Sequence, residues 1–243
     1  MKCLILAAGY ATRLYPLTEN FPKPLLKVGR KTILDWLVDD LIQWGVRDFV
    51  VISNHRYYDH FTAWARKKDV PVQVLDDGSD CNENRLGAVK DLQFALQQLE
   101  ICEDVLVIAG DNVLDFSLGK LLGYAREKGT SCVMRYWEAD RNRLLKSGVV
   151  TVDETDRVLA MTEKSPQPAT QWCCPPFYYY TSGDARQVAA AIQDGCGTDA
   201  PGSFLAWLCK KSPVYAMEMP GKRYDIGDPD SYARVQKEYE GLC

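Results

Sequence analysis

The sequence predicts an α/β fold with a mixed, mostly parallel sheet that carries helices on both faces and leads into a β-rich extension. Two observations support this prediction. Apolar runs alternate with helical patterns up to about residue 128, and the segment that follows is rich in strand-like runs. With 243 residues and 47% hydrophobic content, the chain is long enough to bury a substantial core.

The first half of the chain alternates strands and helices. The predicted strands are CLILAA, DFVVIS, VPVQVLDD and DVLVIAGDN, and the predicted helices between them are TILDWLVDDLIQWG, YYDHFTAWARKK and AVKDLQFALQQL. Strands joined by helices of this length pair in parallel in a sheet that is covered on both faces. The pattern is therefore Rossmann-like.

The second half is richer in strands. The segments TSCVMRYWEAD, SGVVTVDETDRVLAMTEK and PPFYYYTS predict β-structure, and they are followed by helices DARQVAAAIQDG and SFLAWLCKK, strand PVYAMEM and helix DPDSYARVQKEYEG. No Pro/Ser-rich linker, low-complexity segment or repeat interrupts the sequence. We therefore expect one domain over residues 1–243, with halves at 1–128 and 129–243.

Composition argues against several classes of function. The net charge of −4 disfavours a general nucleic-acid or anionic-membrane binder. No apolar run approaches the ~20 residues that span a bilayer, and the N-terminus does not resemble a signal peptide. The nine cysteines have irregular spacing and form no C-x-x-C pair, which is typical of a reduced, cytoplasmic protein.

The opening stretch LILAAGYATRL contains the clearest chemical signal. Ala7, Ala8 and Gly9 follow the first strand directly, and small residues there let backbone N–H groups approach a phosphate. Arg13 and Lys23 could neutralise that phosphate. Neither a G-x-G-x-x-G fingerprint nor a Walker A sequence is present. The alternative is a plain tight turn with two surface cations.

A longer match favours the phosphate site. LILAAGYATRLYPLTENFPKPLLKVGRKTILDWLVDDL resembles the opening signature of the sugar-phosphate nucleotidyltransferases, also called nucleoside-diphosphate-sugar pyrophosphorylases. This family includes glucose-1-phosphate thymidylyltransferases and related short cytidylyltransferases. The resemblance implies that Arg13 and Lys23 grip the phosphates of a nucleoside triphosphate in catalysis. It also implies that the loop Leu6, Ala7, Ala8 and Gly9 covers the nucleotide.

Later positions extend the resemblance to a base loop and a metal site. NRLGA matches the loop that reads the base and implicates Asn84 and Gly87, although an ordinary polar loop would look the same. IAGDN and RYDIGD match the two stretches whose aspartates, here Asp111 and Asp225, bind magnesium. The alternatives are a helix cap for Asp111 and a turn residue for Asp225.

The acceptor region matches less closely. SGVV and MTEK imply that Gly148, Glu163 and Lys164 contact a sugar phosphate, where the alternative is a hairpin glycine and a solvated ion pair. Asp199 occupies a position where the family places polar acceptor contacts. The family pattern continues E-K-P and then a glycine before an aromatic strand, whereas this chain has Ser165 and Pro175-Pro176. These departures leave the acceptor open.

The resemblance implies an Mg²⁺-dependent enzyme that transfers a nucleoside monophosphate to a phosphorylated acceptor, most commonly thymidylyl transfer to glucose 1-phosphate. One alternative is a cytidylyltransferase for phosphocholine or a small phosphonate. Another is a non-catalytic nucleotide-sugar sensor, which should have lost one of the four charged residues Arg13, Lys23, Asp111 and Asp225. The attacking phosphate is already ionised, so His55 and His60 are expected to have no catalytic role.

The expected partners are therefore a nucleoside triphosphate and a phosphorylated small molecule, with no nucleic acid and no membrane. A homodimer is possible, because the aromatic strand PPFYYYTS could pack against a second subunit, but burial in the core would explain it equally well. The choice of nucleobase depends on the loop at residues 76–88, and the sequence leaves it open.

Overall fold

The computed structural model describes residues 1 to 242. Over this range the strands are β1 (Lys2–Leu6), β2 (Lys27–Val28), β3 (Lys31–Thr32), β4 (Phe49–Ser53), β5 (Val72–Asp76), β6 (Val105–Ala109), β7 (Val113–Leu114), β8 (Ser131–Trp137), β9 (Gly148–Val152), β10 (Val158–Glu163), β11 (Trp172–Cys173), β12 (Phe177–Tyr180), β13 (Val214–Glu218) and β14 (Arg223–Tyr224). The helices are α1 (Ile33–Gln43), α2 (Tyr58–Ala65), α3 (Ala88–Gln98), α4 (Gly119–Lys128), α5 (Arg141–Leu144), α6 (Ser182–Ala185), α7 (Val188–Gln193), α8 (Gly202–Leu208) and α9 (Pro229–Glu238).

The chain folds as two compact units, each built from separate stretches of sequence. The first unit contains residues 2–85, 109–119 and the chain from residue 220 onward. The second unit contains residue 1 and residues 86–108 and 120–219. Parts of the chain that precede residue 128, among them α3 and most of β6, thus belong to the second unit.

The first unit is built on the parallel strands β1, β4 and β5. Strand β4 lies in the middle, with Cys3 of β1 opposite Phe49 and Val72 of β5 on its other side. All five residues of β4 are buried, so both faces of this sheet are covered. The predicted parallel arrangement of the first strands is confirmed.

Helix α1 shows how local sequence fixes an element of this unit. Thr32 and Asp35 form a capping box, in which Asp35 N–H donates to Thr32 Oγ1 and Thr32 N–H donates to Asp35 Oδ2. On the buried face, Asp40 accepts a hydrogen bond from Leu118 N–H at 2.8 Å. The helix therefore anchors the segment that begins at Asp111.

The second unit contains a mixed sheet in the strand order β10, β9, β11, β8, β12 and β6, with β13 paired to β8. Strand β13 runs parallel to β8, and the other pairs are antiparallel. The hairpin of β9 and β10 ends with Gly148 opposite Glu163, so the two predicted acceptor residues are direct neighbours.

The aromatic strand β12 is a core strand. It pairs with β6 on one side and β8 on the other, and Phe177, Tyr178 and Tyr180 are buried. Of the two interpretations offered for PPFYYYTS, burial in the core is confirmed, since both edges of the strand are occupied. Within residues 1–242 no helix is both long enough and apolar enough to cross a bilayer.

Candidate active site

A cavity of about 210 Å³ lies at the carboxyl end of β1, within the first unit. Ligands bind at such strand ends in open α/β sheets. The cavity is lined by the following residues: Leu6, Ala7, Gly9, Ala11, Arg13, Leu14, Lys23, Pro24, Asp111, Ile226 and Gly227. Three separate stretches of sequence therefore meet here, and they contain most of the residues predicted for the nucleotide.

Two main-chain hydrogen bonds fix the start of the loop. Ala7 N–H donates to Ile52 C=O at 2.9 Å, and Gly110 N–H donates to Leu6 C=O at 3.0 Å. Gly110 has no room for a side chain, because an added Cβ would lie 2.9 Å from Ile5 Cγ2. Close approach at Gly110 holds the next residue, Asp111, beside the end of β1.

Three fully buried polar side chains hold this loop and the segment after it by hydrogen bonds to main-chain carbonyls. Sequence reasoning missed all three. Asn54 Nδ2 donates to Ala8 C=O at 2.9 Å, Tyr57 Oη donates to Thr18 C=O at 2.6 Å, and Thr18 Oγ1 donates to Ala11 C=O at 2.8 Å. Ala11 itself has a left-handed backbone with φ 46°. The one available signal was an asparagine directly after the buried run FVVIS.

Lys23 and Asp111 form the central ion pair of the cavity. Lys23 is only 8% exposed, and its Nζ donates to Asp111 Oδ2 at 2.7 Å. Burial raises the pKa of Asp111, but the nearby Lys23 and Arg223 cations outweigh it and hold that pKa below its ordinary value. Asp111 is therefore ionised at neutral pH, and its half-exposed carboxylate is accessible to a ligand.

A two-stranded ribbon brings the second aspartate to the same unit. Strands β7 and β14 pair antiparallel with Tyr224 opposite Val113. Asp111 lies just before β7 and Asp225 just after β14, so both aspartates emerge from one end of the ribbon. A Cβ added at Gly227 would lie 3.8 Å from both Asp225 Oδ2 and Arg13 Nη1, so these two charged groups flank the same glycine.

The donor set of Asp111 and Asp225 fits magnesium. Among residues 1–242 no group of three or more His, Cys, Asp or Glu side chains could hold a metal ion. Mg²⁺ in nucleotide sites usually takes one or two carboxylates from the protein, and phosphates and water complete its octahedron. Asp111, which lines the cavity, and Asp225, the neighbour of the lining residue Ile226, are carboxylates of the kind that this requirement names.

Glu163, in the second unit, is held between two glycines. An added Cβ at Gly202 would lie 2.1 Å from Glu163 Oε1, and one at Gly148 would lie 3.0 Å from the same atom. Burial raises the pKa of Glu163, and the Lys164 charge and a hydrogen bond from the Gly202 backbone only partly oppose it. Glu163 is thus a half-buried, positioned carboxyl group rather than a fully solvated one.

Lys164 and Asp199, also in the second unit, are exposed and close together. Lys164 Nζ lies 3.9 Å from Asp199 Oδ2. The Lys164 backbone has φ 48°, which is uncommon for a residue with a side chain, and its N–H donates to Ser147 C=O at 3.1 Å. This backbone conformation and bond fix the direction in which the lysine leaves the end of β10.

Gly87 and Asn84 have different surroundings. Gly87 has φ 91°, and an added Cβ would lie 2.6 Å from the carbonyl oxygen of Thr198. Ala88 N–H donates to Asp199 C=O at 3.2 Å, so the start of α3 supports the segment that carries Asp199. Asn84 organises its own loop, since its Oδ1 accepts from Asp80 and Cys81 N–H.

The Pro175-Pro176 departure forms a tight connection from β11 to β12. Cys174 N–H donates to Gly148 C=O at 2.8 Å, and Phe177 N–H donates to Pro175 C=O at 2.8 Å.

The two histidines lie in the first unit and do not line the cavity. His55 Nδ1 is 2.6 Å from Asp76 Oδ2, a contact that raises the pKa of His55, and the ring of His60 packs against Phe21.

Small loop residues, two cations and two carboxylates at the end of a parallel strand are typical of α/β enzymes that handle nucleotides. A model of the nucleotidyl transferase family matches residues 2–241, and the chain belongs to this family. The resemblance found in the opening stretch is thereby confirmed over nearly the whole sequence.

Relatives and solved structures agree with this assignment. A UTP–glucose-1-phosphate uridylyltransferase from Haloferax volcanii is 27% identical over 99% of this chain and 97% of its own length. A glucose-1-phosphate thymidylyltransferase from Neisseria gonorrhoeae is 31% identical over 79% of this chain, but only 65% of its own length is matched. The structure of a UDP-glucose pyrophosphorylase complexed with UDP-glucose has a TM-score of 0.82 at 17% identity, covering 98% of this chain and 97% of that one. The mixed α/β fold is therefore confirmed.

Proposed function

We propose that this chain transfers a nucleoside monophosphate from a nucleoside triphosphate to a sugar 1-phosphate, forming a nucleoside-diphosphate sugar and releasing pyrophosphate. Membership of the nucleotidyl transferase family supports the reaction type. The relatives that act on glucose 1-phosphate, by their names, support the acceptor class. The observation that carries the proposal is the cavity that brings Arg13, Lys23 and Asp111 together beside the small-residue loop after β1.

The absence of a side chain at Gly9 supports the loop's role. Gly9 is exposed, and an added Cβ would meet no protein atom within 4 Å. Protein packing therefore does not require a glycine at this position. A ligand that approaches the backbone closely would require one, as a phosphate does when it accepts hydrogen bonds from main-chain N–H groups.

The reaction needs charge neutralisation more than acid–base chemistry. An oxygen of the acceptor phosphate attacks the α-phosphorus, a new P–O bond forms, and the α–β bond breaks with its electrons leaving on pyrophosphate. Arg13 and Lys23 would stabilise the charge on the departing pyrophosphate, and Lys164 would hold the acceptor phosphate. No proton has to be removed from the nucleophile, which is consistent with a cavity whose lining contains no histidine.

Magnesium is part of this proposal. Asp111 and Asp225 would hold Mg²⁺, which when bound supplies positive charge to the α-phosphate. Lys23 would release Asp111 as the triphosphate enters, because the phosphates offer the ammonium a stronger anionic partner. Arg13, which together with Asp225 flanks Gly227, would stay available to the phosphates.

For the acceptor, we propose that Gly148, Glu163, Lys164 and Asp199 contact the sugar phosphate. The position of Glu163 between Gly148 and Gly202 supports a role in orienting hydroxyl groups, because a carboxyl held in one place gives directional acceptors.

We propose that Asn84 and Gly87 contact the nucleotide. We also propose a cytoplasmic setting, supported by the irregular spacing of the nine cysteines, which form no C-x-x-C pair.

The experiment is pyrophosphate release, coupled to inorganic pyrophosphatase, with each of the common triphosphates and a panel of acceptors. The panel contains sugar 1-phosphates, phosphocholine, phosphoethanolamine and small phosphonates. Release with one triphosphate and a sugar 1-phosphate is the expected result. Release only with CTP and a non-sugar acceptor would favour the cytidylyltransferase alternative, to which the Pro175-Pro176 departure points. Nucleotide binding without any release would contradict an enzymatic role.

A further inference from the structure

Arg223 occupies a position that neither the family resemblance nor the sequence pattern singled out. It lies on β14, two residues before Asp225, and it is half-buried. Its Nη1 donates to Asn112 Oδ1 at 3.0 Å. This hydrogen bond connects β14, the strand before Asp225, to Asn112, the residue after Asp111. Asp225 and Asp111 are the two predicted metal ligands.

Asn112 in turn forms a hydrogen bond to Asp111. Asn112 is 3% exposed, and its Nδ2 donates to Ala109 C=O at 3.1 Å and to Asp111 Oδ1 at 3.3 Å. The other carboxylate oxygen of Asp111 accepts from Lys23. One oxygen of Asp111 is therefore fixed by a lysine that lines the cavity, and the other by an asparagine that Arg223 holds in place.

The ribbon geometry explains why position 223 is suited to this contact. In the register of β7 and β14, Arg223 is opposite Leu114 and Tyr224 is opposite Val113. Asp225 directly follows β14, at the same end of the ribbon where Asn112 directly precedes β7. A side chain at 223 can thus reach Asn112 while Asp225 is directed to the same end.

We propose that Arg223 is a positioning residue for the metal site: by anchoring Asn112, it sets the Asp111 carboxylate relative to Asp225. This inference rests on the proposed function, in which these two aspartates hold a divalent cation. Residues that hydrogen-bond directly to metal ligands, as Asn112 does to Asp111, commonly change metal affinity by about 10- to 100-fold when removed, and Arg223 holds Asn112 in that position.

Positioning and simple electrostatics predict opposite results for Arg223. A cation near a metal site repels the incoming ion, so a purely electrostatic role predicts that an uncharged residue at 223 tightens metal binding. Positioning predicts weaker binding, because Asn112 loses its buried partner and Asp111 is no longer held. A role in folding alone predicts a lower melting temperature and no change in metal binding.

The test compares nucleotide affinity with and without metal. Each of the common triphosphates is titrated by calorimetry in the presence of Mn²⁺ and again in EDTA, and the ratio of the two affinities measures the metal contribution. The variants are Arg223→Met, which removes the donor and the charge, and Arg223→Lys, which keeps both in a shorter side chain. Arg66→Met, at an exposed position after α2, is the matched control.

We expect Arg223→Met to reduce the metal contribution about tenfold or more, with affinity in EDTA unchanged. Arg223→Lys should recover part of the loss, and Arg66→Met should match the wild type. An undiminished or increased metal contribution in folded Arg223→Met would overturn the proposal. Absence of any Mn²⁺ contribution in the wild type with every triphosphate that binds would instead overturn the metal site itself, and the role of Arg223 with it.

Discussion

Lys23 and Asp111 illustrate how single residues prepare this site. An ammonium that is almost fully buried needs an anionic partner, and Asp111 supplies it at 2.7 Å. Asp111 in turn stays ionised because its pKa is held below the ordinary value by the cations beside it. Asp111 is therefore ionised before any ligand arrives, so a ligand can bind by replacing Asp111 as the partner of Lys23.

The first prediction concerns the two aspartates. Asp111→Asn and Asp225→Asn should each reduce turnover by about 10³-fold in magnesium buffer, because an amide is a poor ligand for a hard cation. Pyrophosphate release is the measurement. Asp69→Asn, at an exposed position of the same unit, is the control and should leave the rate unchanged. Turnover close to that of the wild type in either test variant would remove the metal assignment.

The second prediction concerns Arg13. Arg13→Ala should lower kcat by about 10²- to 10³-fold, because the departing pyrophosphate would lose a preorganised cation. The exposed position of Arg13 makes a large loss of stability unexpected. The measurement is kcat from pyrophosphate release, together with the melting temperature. An unchanged kcat would show that the arginine following the loop is only a surface cation.

The third prediction compares Gly9 with Gly123, two glycines with open surroundings. Gly9→Ala should weaken triphosphate binding about tenfold or more, because the methyl group enters the space proposed for a phosphate. The control is Gly123→Ala in α4, where an added Cβ also meets nothing within 4 Å. Both variants should keep the melting temperature within a few degrees of the wild type. Equal nucleotide affinity in Gly9→Ala and the wild type would contradict close backbone approach.

At the scale of elements, α1 stabilises the first unit through a network around Asp35. Asp35 accepts hydrogen bonds from Trp64 Nε1 at 2.8 Å and from Lys68, in addition to its part in the capping box. Burial raises the pKa of Asp35, but the hydrogen bonds from Lys68, Thr32 and Trp64 outweigh it, so that the pKa is lowered. This network ties α1 to the end of α2.

The fourth prediction follows from the sign of that shift. A carboxyl whose pKa is lower in the folded state stabilises the fold above its unfolded pKa of about 4, and the effect fades as the pH falls toward the folded pKa. Asp35→Asn should therefore lower the free energy of unfolding by about 1–3 kcal/mol at pH 7. The difference from the wild type should shrink below about pH 4 in urea denaturation series. A difference that is constant from pH 7 to pH 3 would contradict this account.

The long, periodic elements could be predicted from the sequence, because burial imposes a repeat on them. The runs CLILAA and DFVVIS and the amphipathic α1 and α3 are examples, and the structure confirms all four. The ribbon of β7 and β14 could not be predicted, since two-residue strands carry no period. The helix α4 was also missed, and DARQVAAAIQDG forms the two short helices α6 and α7.

The residues of the candidate site also fall into those that the sequence could predict and those that it could not. Its charged residues could be identified because the family motif places them at fixed spacings. The buried supports Asn54, Tyr57 and Asn112 could not, because each acts through a hydrogen bond to a residue distant in sequence or to a turn whose shape the sequence does not reveal. The glycines around Glu163 needed coordinates for the same reason, since a close approach is visible only in three dimensions.

At the scale of the whole molecule, the charged residues predicted for the nucleotide and the residues predicted for the acceptor are collected in separate compact units, whereas Gly87, predicted for the nucleotide, lies in the second unit. Arg13, Lys23, Asp111 and Asp225 all belong to the first unit, although they span most of the chain. Gly148, Glu163, Lys164 and Asp199 all belong to the second. Variants in one set should therefore affect nucleotide binding, and variants in the other should affect the Michaelis constant of the acceptor.

The fifth prediction applies that division. Glu163→Gln should raise the KM of the acceptor about tenfold or more while triphosphate affinity in EDTA stays within a factor of two of the wild type, because an amide changes the pattern of hydrogen-bond acceptors without changing size. Glu154→Gln, at an exposed turn position of the same unit, is the control. A change in nucleotide affinity with no change in the KM of the acceptor would contradict the assignment of Glu163 to the acceptor.

The central claim is that an oxygen of the acceptor phosphate attacks the α-phosphorus of the triphosphate. The most direct measurement supplies glucose 1-phosphate carrying ¹⁸O on its non-bridging phosphate oxygens and follows the products by ³¹P NMR. The account predicts a new diphosphate with ¹⁸O in the bridge and on the sugar-linked phosphorus, and pyrophosphate without label. Label in the pyrophosphate, or hydrolysis to a nucleoside monophosphate with no new diphosphate, would contradict it.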